Sequence, residues 1–152
     1  MKVSAVICTY SMSRFSALME AIQSLVEQTH KNIEIIVVVD HNTPLYEKLK
    51  STFSEKTFRI LHNQDVKGLS GSKNCGIVAA SGKIIAFLDD DAVAAKDWIE
   101  QMLKTYSESE IVAVGGLTLP QWEYKKSTWF PEEFYWVLGC TYKGHTVKTA
   151  VV

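Results

Sequence analysis

The chain has 152 residues, 47% hydrophobic and 22% charged, the size and make-up of one globular domain able to bury a core. Its 16 Lys and Arg against 17 Asp and Glu leave a formal net charge of −1, so binding of polyanions through bulk charge is excluded and any anion must be held locally. Cys8, Cys75 and Cys140 are odd in number, widely spaced and without a CxxC pair, which argues against a disulfide framework or structural zinc and fits a reducing, cytoplasmic compartment.

In chain order, Val3 to Cys8 is almost wholly apolar, as expected of a strand covered on both faces in a parallel sheet. This run is too short for a signal peptide, and no later stretch reaches membrane-spanning length. Phe15, Leu18, Met19, Ile22, Leu25 and Val26 recur at helical spacing behind Ser13, a candidate N-cap. Ile33 to Val39 is a second buried strand. Thr43-Pro44 then reads as an N-cap followed by proline at the first helical position, with Leu45, Leu49 and Phe53 on one face. Phe58 to Leu61 is a short third strand, and a helix from about Ser72 to Ala80 is expected to stop at a left-handed Gly82. Lys83 to Leu88 is the fourth strand. Trp98, Ile99, Met102, Leu103 and Tyr106 mark a fourth helix, and Ile111 to Val114 a fifth strand ending at Gly115-Gly116.

Strands alternating with helices give an α/β fold, a mostly parallel sheet with helices on both faces. In such sheets ligands bind outside the carboxyl ends of the strands. Thr9-Tyr10, Asp40, the segment from Gly68 to Asn74, and Asp89 to Asp91 all fall at or after strand ends and should converge on one edge.

After Gly116 the pattern changes. Trp122, Tyr124, Trp129, Phe130, Phe134, Tyr135 and Trp136 crowd a stretch with little periodicity, read first as a core-covering loop or short helix and second as a ligand or partner surface. Glu132-Glu133 after Pro131 reads as a helix first turn. Thr146 to Val152 reads as a strand without a visible partner, as though the chain stopped partway through a larger domain. The expected organisation is an α/β core over 1–118 and an aromatic-rich region over 119–152 of the same domain.

The apolar run Phe87-Leu88 stops at three consecutive carboxylates. Three adjacent like charges are tolerated in water, at a helix N-terminus, or around a neutralising cation. Asp89 and Asp91 flank one residue and can aim oxygen ligands at a hard divalent cation that completes its shell with water and phosphate. An EF-hand fails, because Val93 and Ala94 stand where a ligand and a glycine are needed. A helix cap alone would require one Asp, so three favour a metal or phosphate role. The segment Gly68-Leu69-Ser70-Gly71-Ser72-Lys73-Asn74-Cys75-Gly76 could bring backbone N–H groups and Lys73 to a phosphate, but it is neither a Walker A loop nor GxGxxG, and a flexible loop with a helix cap fits it equally. Asp40 alone reads as an Asx-type turn. His41 and His62 read as surface residues, and Cys8 and Cys75 as packing groups.

Taken as an ordered set, Cys8-Thr9-Tyr10, Val39-Asp40-His41-Asn42-Thr43, Lys73-Asn74-Cys75-Gly76 and Phe87-Leu88-Asp89-Asp90-Asp91 resemble the family 2 glycosyltransferases of GT-A fold, over roughly Lys2 to Gly116. The resemblance implies an inverting, metal-assisted transferase that moves a sugar from a nucleotide diphosphate, typically UDP, to an acceptor hydroxyl on a glycan, lipid or small molecule. It implies that Thr9 and Tyr10 line the nucleotide pocket, that Asp40 accepts from the base, that Asp90 lies near the ribose, and that Asp91 with Asp89 holds Mg2+ or Mn2+ on the diphosphate. Lys73 stands where the family more often has arginine, exchanging a bidentate fork for a point charge. The family's catalytic base lies downstream of the Gly-Gly region, and neither Glu132 nor Glu133 matches it, so no catalytic residue is named and a donor-binding module without turnover is the alternative. Nucleic acid is not an expected partner; the aromatic tail is the expected place for peripheral membrane contact or self-association. Another Mg2+-dependent α/β enzyme, a nucleotidyltransferase or phosphohydrolase, is disfavoured by the missing Walker and phosphotransfer signatures.

Overall fold

The computed structural model describes residues 1–53, 58–106, 111–122 and 129–143. The elements are β1 (Val3–Thr9), a 3-10 turn (Met12–Arg14), α1 (Phe15–Val26), β2 (Ile33–Asp40), α2 (Thr43–Thr52), β3 (Arg59–Asn63), α3 (Leu69–Ala79), β4 (Ile84–Asp89), α4 (Trp98–Tyr106) and a 3-10 segment (Glu132–Leu138). The chain divides into two compact units, Met1–Glu100 and Gln101–Val152.

In the first unit the strands form a parallel sheet in the order β3-β2-β1-β4. Apolar residues run through β1 and β2 without alternation because both faces are covered. One face, with Ala5, Ile7, Ile35, Val37 and Val39, packs against Leu18, Ala21, Ile22 and Leu25 of α1 and Leu45 and Leu49 of α2. Full burial of a leucine such as Leu45 or Leu49 contributes about 1.5–3 kcal/mol. The other face, with Val6, Ile36 and Val38, meets Cys75 and Ala79 of α3. That helix lies close to the sheet: a Cβ on Gly76 would stand 2.5 Å from Val6 Cγ1, so only glycine lets it settle there. The α/β architecture read from the sequence is therefore the observed one.

Several local expectations are corrected. The helix behind Ser13 begins at Phe15, and the cap is Ser11, whose side chain accepts from Ser13 N–H at the head of the 3-10 turn. Asn42 rather than Thr43 caps α2, with Oδ1 accepting from Leu45 N–H at 3.0 Å. Helix α3 starts at Leu69, a turn earlier than expected. Gly82 is not a left-handed stop, since Gly68 and Gly139 are the described glycines with positive φ. Its Cβ would instead meet Ser4 N at 2.6 Å, so it is glycine for lack of room. No strand forms over Ile111 to Val114, where Val112 is 89% exposed. The strand expected over Thr146 to Val152 lies outside the described residues.

In the second unit Thr118 and Thr141 are joined by two hydrogen bonds, Thr141 N–H to Thr118 O at 2.9 Å and Thr118 N–H to Thr141 Oγ1 at 2.8 Å. Trp122, Phe130 and Tyr135 cluster ring against ring, while Trp129 and Trp136 stand exposed. The expected short helix is present as the 3-10 segment, with Glu132 and Glu133 in its first turn.

Candidate functional site

The chain runs from β1 out to β2 and β3 on one side, then returns to place β4 on the other side of β1. The switch point of the sheet thus falls between β1 and β4, and the crevice at the carboxyl ends of two such strands is the place where open α/β sheets bind ligands. Cys8 pairs in register with Asp89, which sets Thr9-Tyr10 beside Asp90-Asp91.

Two buried polar atoms in these paired strand ends have no hydrogen-bond partner: Thr9 Oγ1 and Asp90 Oδ2. Thr9 is 1% exposed and Asp90 4%. Buried polar groups are nearly always satisfied, and leaving one unpaired costs on the order of 1–3 kcal/mol. A hydroxyl and a carboxylate oxygen left open together at a switch point call for a polar ligand. Tyr10 follows, 60% exposed. Asp89 and Asp91 are both exposed beside the buried Asp90, and the turn is closed by Ala92 N–H to Asp89 O at 3.2 Å.

Arg14, which belongs to none of the sequence motifs above, joins the parts. Its Nη1 lies 2.8 Å from Asp90 Oδ1 and 3.2 Å from Asp91 Oδ2, with the guanidinium 5.6 Å from the Tyr10 ring centre. The bond to Asp90 and its charge hold the Arg14 pKa above the usual value. A signal was available: Arg14 is the only Lys or Arg between Lys2 and Lys31, placed in the loop after β1.

Asp40 ends β2, one strand away from this crevice, and its carboxylate is occupied. Oδ1 accepts from Asn63 Nδ2 at 2.8 Å, Oδ2 accepts from Gly68 N–H at 2.9 Å, and His41 Nδ1 lies 3.0 Å from Oδ1. Burial alone would raise its pKa, but hydrogen bonds from His41, Gly68, Asn63 and Ser72 outweigh that and hold it below the usual carboxylate range. Asp40 thus ties β2 to β3 and to the head of α3, where Gly68 takes φ +109, and it is no mere Asx turn. Asn63 and Asn42 are further links missed in sequence. Asn63 also donates to Val66 O at 2.8 Å, and Asn42 Nδ2 donates to Tyr10 O at 2.9 Å, joining the loops after β1 and β2.

Lys73 lies on α3 with its ammonium 5.1 Å from the centre of the Phe87 ring of β4. Its charge also acts on Cys8, although burial is the larger influence and pushes that thiol up to about 11, as suits a packing group. His62 is less superficial than its sequence context implied: its ring stacks on Tyr46 at 4.8 Å and its Nε2 is buried.

For a divalent cation the described residues offer no cluster of three His, Cys, Asp or Glu side chains. Asp89 and Asp91 instead supply exposed carboxylates at one turn, with Asp91 Oδ2 in contact with Arg14. This donor set suits Mg2+ or Mn2+ completed by water and phosphate oxygens, not a closed all-protein cage.

The sequence profile described as Glycosyl transferase family 2 matches residues 4–150. A glucosyl-dolichyl phosphate glucuronosyltransferase of Haloferax volcanii is 40% identical over 146 residues, covering 95% of this chain and 47% of the relative. Glycosyltransferase GlyA of Streptococcus pneumoniae is 34% identical over 116 residues, covering 75% of this chain and 16% of the relative. The chain thus spans about half or less of the length of these relatives. Among solved structures, a mannosyltransferase of Pyrobaculum calidifontis in complex with GDP-Man and Mn2+ superposes with TM-score 0.66 at 19% identity, over 78% of this chain and 36% of that one. S. aureus TarS 1-349 in complex with UDP-GlcNAc gives TM-score 0.58 at 21% identity, over 83% of this chain and 39% of that one.

Proposed function

This chain belongs to glycosyl transferase family 2, and from that premise we propose that the crevice between β1 and β4 binds a nucleotide-diphosphate sugar as the donor site of an inverting, metal-assisted transferase. The observation that carries the reading is the pair of buried, unpartnered atoms, Thr9 Oγ1 and Asp90 Oδ2, beside the exposed carboxylates of Asp89 and Asp91. Donor complexes of both GDP-Man and UDP-GlcNAc among proteins of similar fold support a nucleotide-sugar ligand.

The chemistry of each residue sets its part. Thr9 offers a hydroxyl that can donate or accept, and Asp90 an acceptor suited to a ribose hydroxyl. Tyr10 offers an exposed ring face to the nucleoside. Asp40, held ionised, retains lone pairs for a base N–H beyond its present bonds. Lys73 adds positive charge on the α3 side. Asp91 with Asp89 would hold Mg2+ or Mn2+, whose bound charge offsets that developing on the leaving diphosphate. Inversion further requires a base to take the proton of the acceptor hydroxyl as it attacks the anomeric carbon from the opposite face. No described residue is assigned as that base, and Glu133 is engaged by Lys143 at 2.7 Å. A donor-binding module without turnover is therefore the second reading, and release of UDP in the presence of candidate acceptors separates the two.

Calorimetry with UDP and with GDP, each with Mn2+ or with EDTA, tests the donor site. Metal-dependent binding of one nucleotide is expected, abolished by Asp91→Asn with the circular dichroism spectrum retained. Unchanged affinity in that variant would sink the metal assignment.

A further inference from the structure

Arg14 has a relation to the acidic pair that the donor-site reading does not contain. It reaches Asp90 across 76 residues of sequence. Its two ion pairs differ in kind: Asp90 is 5% exposed at the side chain and Asp91 53%. The bond to Asp90 Oδ1 is the shorter and more buried, and with Oδ1 so engaged the second oxygen, Oδ2, is left as the unpartnered atom of the crevice. The contact to Asp91 Oδ2 is longer, at 3.2 Å, and in solvent. A cation on an exposed carboxylate is held weakly, whereas a buried, charge-assisted bond is held well.

We propose that Arg14 is a positioning residue with two opposed effects: through Asp90 it fixes the nucleoside-binding carboxylate, and through Asp91 it acts as a resident cation that a divalent metal must displace. This rests on the donor-site reading above. The 3-10 turn Met12–Arg14 suits such a part. It is anchored at its head by Ser11, and the Arg14 side chain is 41% exposed, so the guanidinium can leave Asp91 and keep its bond to Asp90. Metal entry then exchanges one weak surface ion pair for metal coordination without disturbing the buried contact. While Arg14 sits on Asp91, repulsion within Asp89 to Asp91 is offset before any ligand arrives.

The two effects predict opposite changes for one substitution. In Arg14→Gln the competing charge is gone, and Mn2+ titrated without nucleotide should bind about two- to fivefold more tightly, the range expected of an exposed ion pair. UDP titrated with saturating Mn2+ should bind about tenfold more weakly, because Asp90 loses its charge-assisted tether. Arg14→Lys keeps a cation, so its affinity for Mn2+ alone should stay within about twofold of the unsubstituted chain. A purely structural role would weaken both ligands together in Arg14→Gln, and that outcome overturns the proposal. So does tighter Mn2+ binding in Arg14→Lys equal to that in Arg14→Gln, which would remove charge as the cause. If the unsubstituted chain binds neither Mn2+ nor UDP, the donor-site reading itself fails. If it binds both and Arg14→Gln changes neither, the site stands and the role of Arg14 falls.

Discussion

Asp40→Asn gives the sharpest test of how the fold ties β2 to β3 and to the head of α3. The carboxylate accepts from Asn63 on one oxygen and from Gly68 N–H on the other. An amide can accept at one of these positions only. Its NH2 must then face either the Gly68 N–H or the Asn63 NH2, and neither orientation avoids donor against donor. The loss is one hydrogen bond to a charged group, about 1.5–3 kcal/mol, plus part of the cost of an unsatisfied partner. Asn63 can fall back on Val66 O, which softens the second part, so about 2–3 kcal/mol is expected in total. With a urea slope of about 2 kcal/mol/M, the unfolding midpoint should fall by about 1–1.5 M. Exchange of the Gly68 amide should quicken by more than the global loss accounts for. The sign with pH follows from the depressed pKa of Asp40. Its contribution is complete above the ordinary carboxylate value of 3.8 and fades as pH falls through the lower folded value, so the difference between the two proteins narrows on acidification. A midpoint within about 0.2 M of the unsubstituted protein at pH 7 would refute the account, since a carboxylate bridging β2, β3 and α3 cannot be lost at so small a cost.

Glu34→Gln probes the opposite end of the sheet. Burial there opposes ionisation, but hydrogen bonds from Ser4, Ser81 and Lys2 prevail and pull the carboxyl from 4.5 down to about 2. About 3 kcal/mol of stability is thereby present above pH 4.5 and lost between pH 4.5 and 2, so denaturation curves of the two proteins should converge over that window; a constant gap would count against it. Cys8, with its thiol pushed up to about 11, carries on the order of 0.1% thiolate at pH 8. Iodoacetamide should label it at least a hundredfold more slowly in the native chain than in urea, and equal rates by mass spectrometry would refute its burial.

The layered architecture was legible because it rests on features of long range in sequence: unbroken apolar runs in β1 and β2 and helical spacing in α1. These patterns depend on which faces are covered, and covering is what the fold does. Caps were misplaced because Ser11, Ser13, Asn42 and Thr43 are all competent cap residues, and the choice among neighbours is made by the entry angle of the chain. The strand expected at Ile111 to Val114 shows the same limit, since an apolar tetrapeptide becomes a strand only when a sheet edge receives it. The acidic triplet stood out as a candidate because charge at the end of a buried strand is costly. Arg14 was marked only by its isolation as a cation after β1, because its partners lie in a contact spanning 76 residues. Asp40 was half legible: its place at a strand end marked it, while its bonds to Asn63 and Gly68 depend on a loop whose path the sequence does not state.

The two ends of the sheet differ in what they leave open to a ligand. Both carry a buried or half-buried carboxylate beside a β1 hydroxyl: Glu34 with Ser4 at the amino end, Asp90 with Thr9 at the carboxyl end. At the amino end every oxygen is used, Glu34 accepting from Ser4, Ser81, the Gly82 N–H and Lys2. Satisfaction of that kind stabilises the fold and leaves nothing to offer a ligand. At the carboxyl end Asp90 has one oxygen on Arg14 and the other unpaired, and Thr9 has no partner for its hydroxyl. A third unpartnered atom, His62 Nε2, lies against Tyr46 of α2 on β3, the far side of the sheet from β4. Like residue types at both ends thus have opposite fates, and the difference is whether the chain completes their hydrogen bonds. Where it does not, a polar ligand recovers the desolvation cost already incurred on folding. On the donor-site proposal that free energy goes into binding only while Asp90 is held still, the part proposed for Arg14 through its bond to Asp90 Oδ1.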